Sequence, residues 1–187
     1  MNNKRIFILL GPSGAGKTTL GGYLKELGIP ELVSHTTRPM REGEVDGISY
    51  YFVSKEEFDT LEKDEFSNYG GSFYCLSKKE IENKFKDYDT VFAITDINGV
   101  KQLKEKYPEI KVIFITIPLE EMEKRMRDRK DTEENIQKRL RNAIENKEHD
   151  NIKYADYVIE NFDLEVSKQK IRDIVFGEKF ERSNCCV

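Results

Sequence analysis

The sequence predicts an α/β protein in which a mainly parallel sheet is flanked by helices. Continuous apolar runs of strand length recur along the chain, and stretches with helical patterning separate them. Strands that are covered on both faces show such continuous runs, and their alternation with helices favours parallel pairing through right-handed crossovers. The chain has 187 residues, of which 37% are hydrophobic. This is enough for a packed core at this length.

Four runs predict the strands of the sheet, at residues 6–10, 91–95, 112–117 and, in a shorter version, 157–159. Helices are predicted where apolar residues recur at helical spacing. The predicted helical faces are Leu20, Leu24 and Leu27, ending near Gly28; Leu119, Met122 and Met126, starting near Pro118; Ile136, Leu140 and Ile144 within 133–148, capped by Asp131 or Thr132; and a last helix over about 163–176.

Two segments interrupt this rhythm. Residues 34–87 are rich in turns and aromatic residues and contain no long apolar run, so we predict an insertion with a small sheet of its own. Residues 120–150 are dense in charges, and their apolar stripe is thin, as in a solvated helical pair. The predicted division is therefore a core of residues 1–33 and 88–187, and an insertion of residues 34–87.

The charge balance and the apolar runs exclude several classes of protein. The formal net charge is −4, and binding of a nucleic-acid polymer by counterion release usually requires a basic excess. The apolar runs are far shorter than the roughly 20 residues of a membrane-spanning helix, and the N-terminus shows no secretory pattern. Three cysteines do not make a disulfide framework. We expect a cytoplasmic protein that is a monomer or a homodimer.

A phosphate-binding loop is the strongest motif. The run Gly11-Pro12-Ser13-Gly14-Ala15-Gly16-Lys17-Thr18 matches G-x-x-x-x-G-K-[ST], follows a predicted strand and opens a predicted helix. Its glycines let successive N–H groups point at phosphate oxygens, and the helix start adds a positive end. Lys17 is expected to reach the β- and γ-phosphates of ATP, and Thr18 to bind Mg²⁺. The predicted ATP-binding residues are Gly11, Pro12, Ser13, Gly14, Ala15, Gly16, Lys17, Thr18 and Thr19.

A second phosphate-binding candidate follows the first helix. Ser34 and two arginines three residues apart, Arg38 and Arg41, precede Tyr50. Guanidinium groups and hydroxyls suit a phosphate, so an anion cradle is one interpretation. A surface turn with solvated arginines explains the spacing equally well.

The sequence resembles the guanylate kinase family at these motifs and at several others, in family order over about residues 5–176. The further matching runs are 50–54, 96–100, 125–129, 138–140 and 158–161. The resemblance implies a P-loop core, a nucleotide-binding insertion and a mobile lid at about 126–140. Ser34, Arg38, Arg41, Tyr50 and Tyr74 match positions that hold the acceptor's monophosphate, and Glu44 matches an acid near its sugar and phosphate. Arg125, Arg129 and Arg139 match lid arginines, and Asp96 is expected to organise Mg²⁺ and water near the transferring group.

The sequence departs from the family at the positions that read guanine. The stretch 65–74 is about three residues shorter than in the family, and Asn68 aligns where a glutamate belongs. Leu76 stands at a hydroxyl position, Ile94 replaces an acid, and Cys75 replaces a glycine. An amide brings one acceptor and two donors where a carboxylate offers acceptors only. Asn68 is thus the predicted base contact, with Glu65 or Ser72 as replacements if the shortened loop repacks.

The predicted activity is Mg²⁺-assisted transfer of a phosphoryl group from ATP to GMP or dGMP, with Lys17, Arg38, Arg125, Arg129, Arg139 and Asp96 as the catalytic set. Two alternatives stay open at this point. The acceptor could be another nucleoside monophosphate or a phosphorylated sugar. The chain could also be a guanylate-kinase-like interaction module without catalysis.

Overall fold

The computed structural model describes residues 4–69, 71–128, 132–145 and 147–177. Its contacts divide the chain into two compact units. The first contains the described residues of Met1–Leu9 and Lys25–Lys111, and the second those of Leu10–Leu24 and Val112–Val187. These units differ from the predicted division into a core and the insertion 34–87, which stays a prediction.

All four predicted strands are present, and each of their ends lies within one residue of its predicted position. They are β1 (Arg5–Leu10), β6 (Thr90–Ile94), β7 (Lys111–Thr116) and β8 (Tyr157–Glu160). In the first unit β1 pairs with β6 in parallel, and in the second unit β7 pairs with β8 in parallel. All but the edge positions of β1 and β7 are buried, because both strands are covered on both faces. The α/β class with parallel strands and flanking helices is confirmed.

A separate four-stranded sheet lies within residues 34–87, as the interruption of the apolar pattern predicted. Its strands run in the order β3-β2-β5-β4. They are β2 (His35–Thr36), β3 (Tyr51–Phe52), β4 (Lys63–Tyr69) and β5 (Ser72–Ser77). The hairpin of β4 and β5 is antiparallel and contains a register shift between Lys63 and Glu65.

Seven α-helices are present in the described residues. They are α1 (Lys17–Glu26), α2 (Lys55–Thr60), α3 (Lys78–Asp87), α4 (Ile97–Lys106), α5 (Leu119–Asp128), α6 (Glu133–Glu145) and α7 (Leu164–Phe176), and a 3₁₀ helix spans Glu148–Tyr154. Helices α2, α3 and α4 were not predicted from periodicity. Each nevertheless carries a side-chain cap at its start, from Ser54, Ser77 and Asp96 respectively.

The predicted apolar face of α6 is partly wrong. Ile136 is buried, but Ile144 is 59% exposed and Ala143 is buried in its place. A spacing of four residues advances the helix by about 400°, so a stripe at i, i+4 and i+8 turns away from the core by about 40° at each step. The pair at i and i+7 stays on one side. The helix also ends at Glu145, three residues before the predicted end.

Candidate active site

The phosphate-binding loop between β1 and α1 adopts a backbone that needs glycine. Gly11 has φ +146° and Gly16 has φ +98°. A Cβ on Gly11 would lie 2.0 Å from the carbonyl oxygen of Ile115, and one on Gly16 would lie 2.2 Å from Nδ2 of Asn161. Both the torsion angles and the close neighbours therefore exclude a side chain at these two positions.

Lys17 lies across the loop that it ends. Its Nζ donates to the carbonyl oxygens of Gly11 at 2.6 Å and Pro12 at 2.9 Å. Burial lowers the pKa of Lys17 to about 8, against an opposing effect of the Glu148 carboxylate. A partly desolvated ammonium of this kind gains an interaction when an anion arrives, because the anion replaces the lost solvation.

Two side chains from distant parts of the sequence contact the loop, and neither role was predicted from the sequence. Asn161 is 2% exposed, and its Nδ2 donates to the carbonyl oxygen of Ala15 at 2.8 Å. Glu148 accepts the N–H of Ser13 at 3.4 Å. Asn161 belongs to the run 158–161, which resembles the family, so the sequence did indicate that this position matters. Glu148 lies beyond the observed end of α6, where the helix was predicted to continue, and no motif in the sequence indicated its role.

The remaining loop residues fit the predicted nucleotide site. Thr18 and Thr19 stand exposed in the first turn of α1, and Pro12 and Ala15 are buried beneath the loop. The start of α1 thus presents N–H groups, a lysine and two hydroxyls together. This is the chemistry that a polyphosphate requires.

The first unit contains a cavity of about 350 Å³ that collects most of the predicted acceptor residues. It is lined by Ser34, Arg38, Arg41, Glu44, Tyr50, Glu65, Ser67, Tyr74, Ile94, Thr95 and Asp96. Six of the seven predicted substrate-binding residues are in this group. The size is that of a small-molecule site, and the lining is rich in charged and hydroxyl groups.

Arg38 is held by two bonds to one carboxylate. Its NH2 donates to Oε1 of Glu44 at 2.7 Å and its NH1 to Oε2 at 3.0 Å. The backbone N–H of Arg41 adds a third bond to the same group at 2.8 Å. The Arg38 guanidinium and this N–H hold the pKa of Glu44 at about 2. Glu44 is thereby ionised at any working pH and fixes the direction of the guanidinium.

Two tyrosines complete this side of the cavity. The guanidinium carbon of Arg38 lies 5.4 Å from the ring centre of Tyr50, and the rings of Tyr50 and Tyr74 meet edge to face at 5.8 Å. Hydrogen bonds that Arg38 donates to Glu44 and Tyr74 raise the pKa of Arg38. Arginine, tyrosine hydroxyls and Ser34 therefore form a compact group of donors, and of the two interpretations the anion cradle fits this geometry.

Asp96 caps a helix and also lines the cavity. Its Oδ1 accepts the N–H groups of Asn98 at 2.8 Å and Gly99 at 3.0 Å at the start of α4. The carboxylate keeps its second oxygen for other partners. Its predicted role beside Mg²⁺ stays a prediction.

Asn68 is exposed and is not among the residues that line the cavity, and its assignment as the base contact stays a prediction. The register of the hairpin pairs Asn68 with Phe73, and side chains alternate along a strand, so Glu65 and Ser67 take the cavity side. Phe66 occupies the opposite side, stacked on Phe73 with ring centres 5.9 Å apart. Of the two replacements, Glu65 lines the cavity and Ser72 does not.

Two of the three predicted lid arginines lie in the described residues. Arg125 on α5 donates to Glu121 and to the carbonyl oxygens of Asn161 and Phe162. Arg139 lies exposed on α6. Arg129 falls outside the described residues. Arg125 thus contacts the segment that also holds the phosphate loop through Asn161.

A divalent metal was predicted at Thr18. In the part of the chain that the structure describes, no three His, Cys, Asp or Glu side chains are grouped so that they could hold a metal ion. Mg²⁺ in phosphoryl-transfer sites is held mostly by substrate phosphates and waters with one or two protein oxygens, so it needs no such cluster. The exposed Thr18 hydroxyl, a hard oxygen beside the loop, fits that arrangement.

The fold and the phosphate-binding loop define a class of protein, the P-loop kinases. The family model described as guanylate kinase matches residues 3–178. The chain is 40% identical over 193 residues to the guanylate kinase of Haemophilus influenzae, covering 97% of this chain and 92% of that one. It is 39% identical over 163 residues to that of Fusobacterium nucleatum, covering 83% and 88%. The chain belongs to the guanylate kinase family.

Solved structures agree with this result. The crystal structure of guanylate kinase from Anaplasma phagocytophilum has a TM-score of 0.74 and 31% identity, covering 96% of this chain and 88% of that one. Shikimate kinase from Bacteroides thetaiotaomicron, at a TM-score of 0.50 and 17% identity, covers 92% and 98% and shares the fold alone. The chain is a kinase, and its relatives do not favour the interaction module. Among the described residues, no helix has the length and apolar character to cross a membrane.

Proposed function

We propose that this chain transfers the γ-phosphoryl group of ATP to GMP, giving ADP and GDP. In this reaction the bond between the β- and γ-phosphates breaks, and an oxygen of the GMP phosphate forms the new bond to phosphorus. The acceptor oxygen already carries negative charge, so no proton has to be removed. The catalytic work is therefore alignment and the compensation of negative charge.

The observation that carries this proposal is the Arg38–Glu44 arrangement in the first unit's cavity. A guanidinium fixed by two bonds, beside Arg41 and the hydroxyls of Tyr50 and Tyr74, is a preorganised site for a monophosphate. Preorganisation matters because a donor that is already aimed loses little entropy on binding. The acceptor is thus bound through its phosphate, while Glu44 keeps the arginine directed.

The donor is assigned to the phosphate-binding loop of the second unit. Lys17 and the N–H groups of residues 11–18 would hold the phosphates, and the Thr18 hydroxyl would hold Mg²⁺. When bound, Mg²⁺ neutralises charge on the transferring group. Arg125, Arg129 and Arg139 would add cations from a lid at about 126–140, and Asp96 would order the neighbouring water. A lid also keeps water from competing with the acceptor.

A panel of acceptors tests this function. Incubation with ATP and Mg²⁺ is expected to give the diphosphate from GMP or dGMP faster than from AMP, CMP, UMP or a phosphorylated sugar. Equal rates on all monophosphates would refute the guanylate assignment. Lys17→Ala is the negative control for the donor site, and it is expected to abolish turnover while folding stays cooperative. Activity of that variant would refute the loop assignment.

A further inference from the structure

The outer edge of β4 is held by a side chain that no sequence motif indicated. β4 is the last strand in the order β3-β2-β5-β4, so it pairs with a strand on one side only. An edge strand presents N–H and C=O groups that no neighbouring strand takes up. Helix α4 meets this edge at Phe66. Oε1 of Gln102 accepts the Phe66 N–H at 3.0 Å, and Nε2 of Gln102 donates to the Phe66 carbonyl oxygen at 2.9 Å.

The Gln102 amide takes the place of a peptide group from a neighbouring strand. A side-chain amide has the donor and the acceptor that a peptide group has, and here it meets both backbone polar groups of one residue. Its Nε2 also donates to the carbonyl oxygen of Asn98, one turn earlier in α4, at 3.3 Å. Gln102 is half-buried, and these bonds fix the direction of its side chain.

The place of this amide contact links it to the acceptor cavity. Phe66 lies between Glu65 and Ser67, the two residues of β4 that line the cavity. Another part of the lining is Thr95 and Asp96, which directly precede α4. The cavity is therefore lined both by the strand that the amide holds and by the residues at the start of the helix that carries the amide. A change in the spacing of β4 and α4 would change the shape of the cavity.

We propose that Gln102 is a positioning residue of the acceptor site, its amide holding β4 against α4 so that residues from both elements meet the acceptor at a fixed spacing. Gln102 is not among the residues that line the cavity, so it acts through the strand and not by contact with the acceptor. This inference rests on the proposed function, since it assigns how the acceptor site of that reaction keeps its shape.

Loss of the amide is expected to weaken acceptor binding and to leave the chemical step intact. Without it β4 has a wider range of positions relative to α4, and GMP binds only to the fraction of molecules in which the spacing is correct. The apparent dissociation constant rises as that fraction falls. Saturating GMP selects the correct spacing, so kcat is retained. ATP is assigned to the phosphate-binding loop, so its KM is expected to stay unchanged.

The test compares Gln102→Met with the matched control Lys106→Met. Methionine suits a helix and has a similar length, but it removes both hydrogen bonds to Phe66. A typical hydrogen bond shifts an equilibrium about fivefold, so two of them set an upper limit of about twenty-fivefold, which partial exposure lowers. KM for GMP is therefore expected to rise about tenfold in Gln102→Met. The kcat and the KM for ATP are expected to change less than about twofold.

Lys106 is a matched control because it also joins α4 to β4. It lies one turn after Gln102, and its Nζ donates to the carbonyl oxygen of Lys63 and to Oδ1 of Asp64, both at 2.9 Å. Neither partner is among the residues that line the cavity. Lys106→Met is thus expected to lower the melting temperature, as Gln102→Met does, and to keep the wild-type KM for GMP.

Amide hydrogen exchange of the wild-type protein supplies a second test that does not depend on folding of a variant. The Phe66 N–H is bonded to Gln102 and not to another strand. In the protein without nucleotides it is expected to exchange at least about a hundredfold more slowly than an unprotected amide. Exchange at the rate of an unprotected amide would overturn the inference, because β4 would then not be held at this residue.

The outcomes separate the two proposals. If the wild-type protein does not prefer GMP as acceptor, the proposed function fails. If it does prefer GMP, but Gln102→Met changes KM for GMP less than about threefold or changes KM for ATP equally, the positioning role is overturned while the function stands. An equal rise in KM for GMP in Lys106→Met would also overturn it, because any loosening of α4 against β4 would then have the same effect.

Discussion

Lys17 is expected to destabilise the protein when no nucleotide is bound. Its pKa lies at about 8 in the folded chain, against 10.5 for an unperturbed lysine. The difference of about 2.5 pKa units corresponds to about 3 kcal/mol that folding spends at neutral pH on burying the ammonium. Hydrogen bonds to the carbonyl oxygens of Gly11 and Pro12 recover part of this cost, so about 3 kcal/mol is the upper limit.

The pH dependence isolates this contribution. The penalty is fully present below the folded pKa of about 8 and disappears as the pH rises toward 10.5, because the unfolded chain then holds the proton that the folded chain has lost. The free energy of unfolding of the wild-type protein, minus that of Lys17→Met, is therefore expected to rise by about 2.5 kcal/mol from pH 7 to pH 10. Lost hydrogen bonds shift this difference at every pH by the same amount and leave its slope unchanged.

Urea unfolding followed by circular dichroism at pH 7, 8, 9 and 10 measures this difference directly. Lys79→Met, on the exposed side of α3, is the matched control and should give no slope. A flat or falling difference for Lys17→Met would refute the reasoning that the ammonium is buried at a cost. Agreement would mean that the loop keeps a destabilising cation because catalysis needs it, a trade of stability for function.

Two other substitutions test the loop and the cradle. Gly11→Ala places a Cβ 2.0 Å from a carbonyl oxygen of β7, so the melting temperature of this variant should fall steeply. Gly28→Ala is the control, because φ is also positive there but no atom lies within 4 Å of the added Cβ, and its melting temperature should fall far less. An equal fall in melting temperature for both variants would contradict the close approach at Gly11. Glu44→Gln removes the charge that directs Arg38, so KM for GMP should rise about tenfold while KM for ATP stays unchanged. Glu42→Gln, on the same exposed loop, is the control. The same rise in KM for GMP in that variant would indicate a general effect of loop charge instead.

The parts of the fold that depend on local pattern could be predicted from the sequence. Buried parallel strands are continuous apolar runs, and β1 and β7 appear within a residue of their expected bounds. The phosphate-binding loop could be predicted equally well, because each of its residue types has a local backbone or charge role. The residues that hold the loop in place could not be predicted in this way. Glu148 and Asn161 contact the loop from more than 130 residues away along the chain, and no spacing rule connects such positions.

The apolar pattern gave a wrong prediction where neighbouring positions of a helix are almost equally suited to face the core. In α6 the stripe of three residues at spacing four looked regular, yet a helix keeps only part of such a stripe against its neighbours. The choice between Ile144 and Ala143 depends on what packs opposite. That information lies elsewhere in the chain, which is why the sequence predicted the helix but not its buried face.

The side of the cavity that β4 lines shows the same limit of prediction from sequence. In a strand, a shift of one residue moves every side chain to the other face. Glu65 and Ser67 line the cavity, whereas Phe66 between them stacks on Phe73, so the pairing register of this hairpin fixes which side chains of β4 reach the cavity. The cradle on Arg38 depends on a different part of the chain and is independent of this register. The chain can thus depart from the family in this hairpin and still keep the group of Arg38, Glu44 and Tyr50. Which side chains of β4 reach the cavity is therefore a property of strand pairing, which the residue types along the sequence do not show.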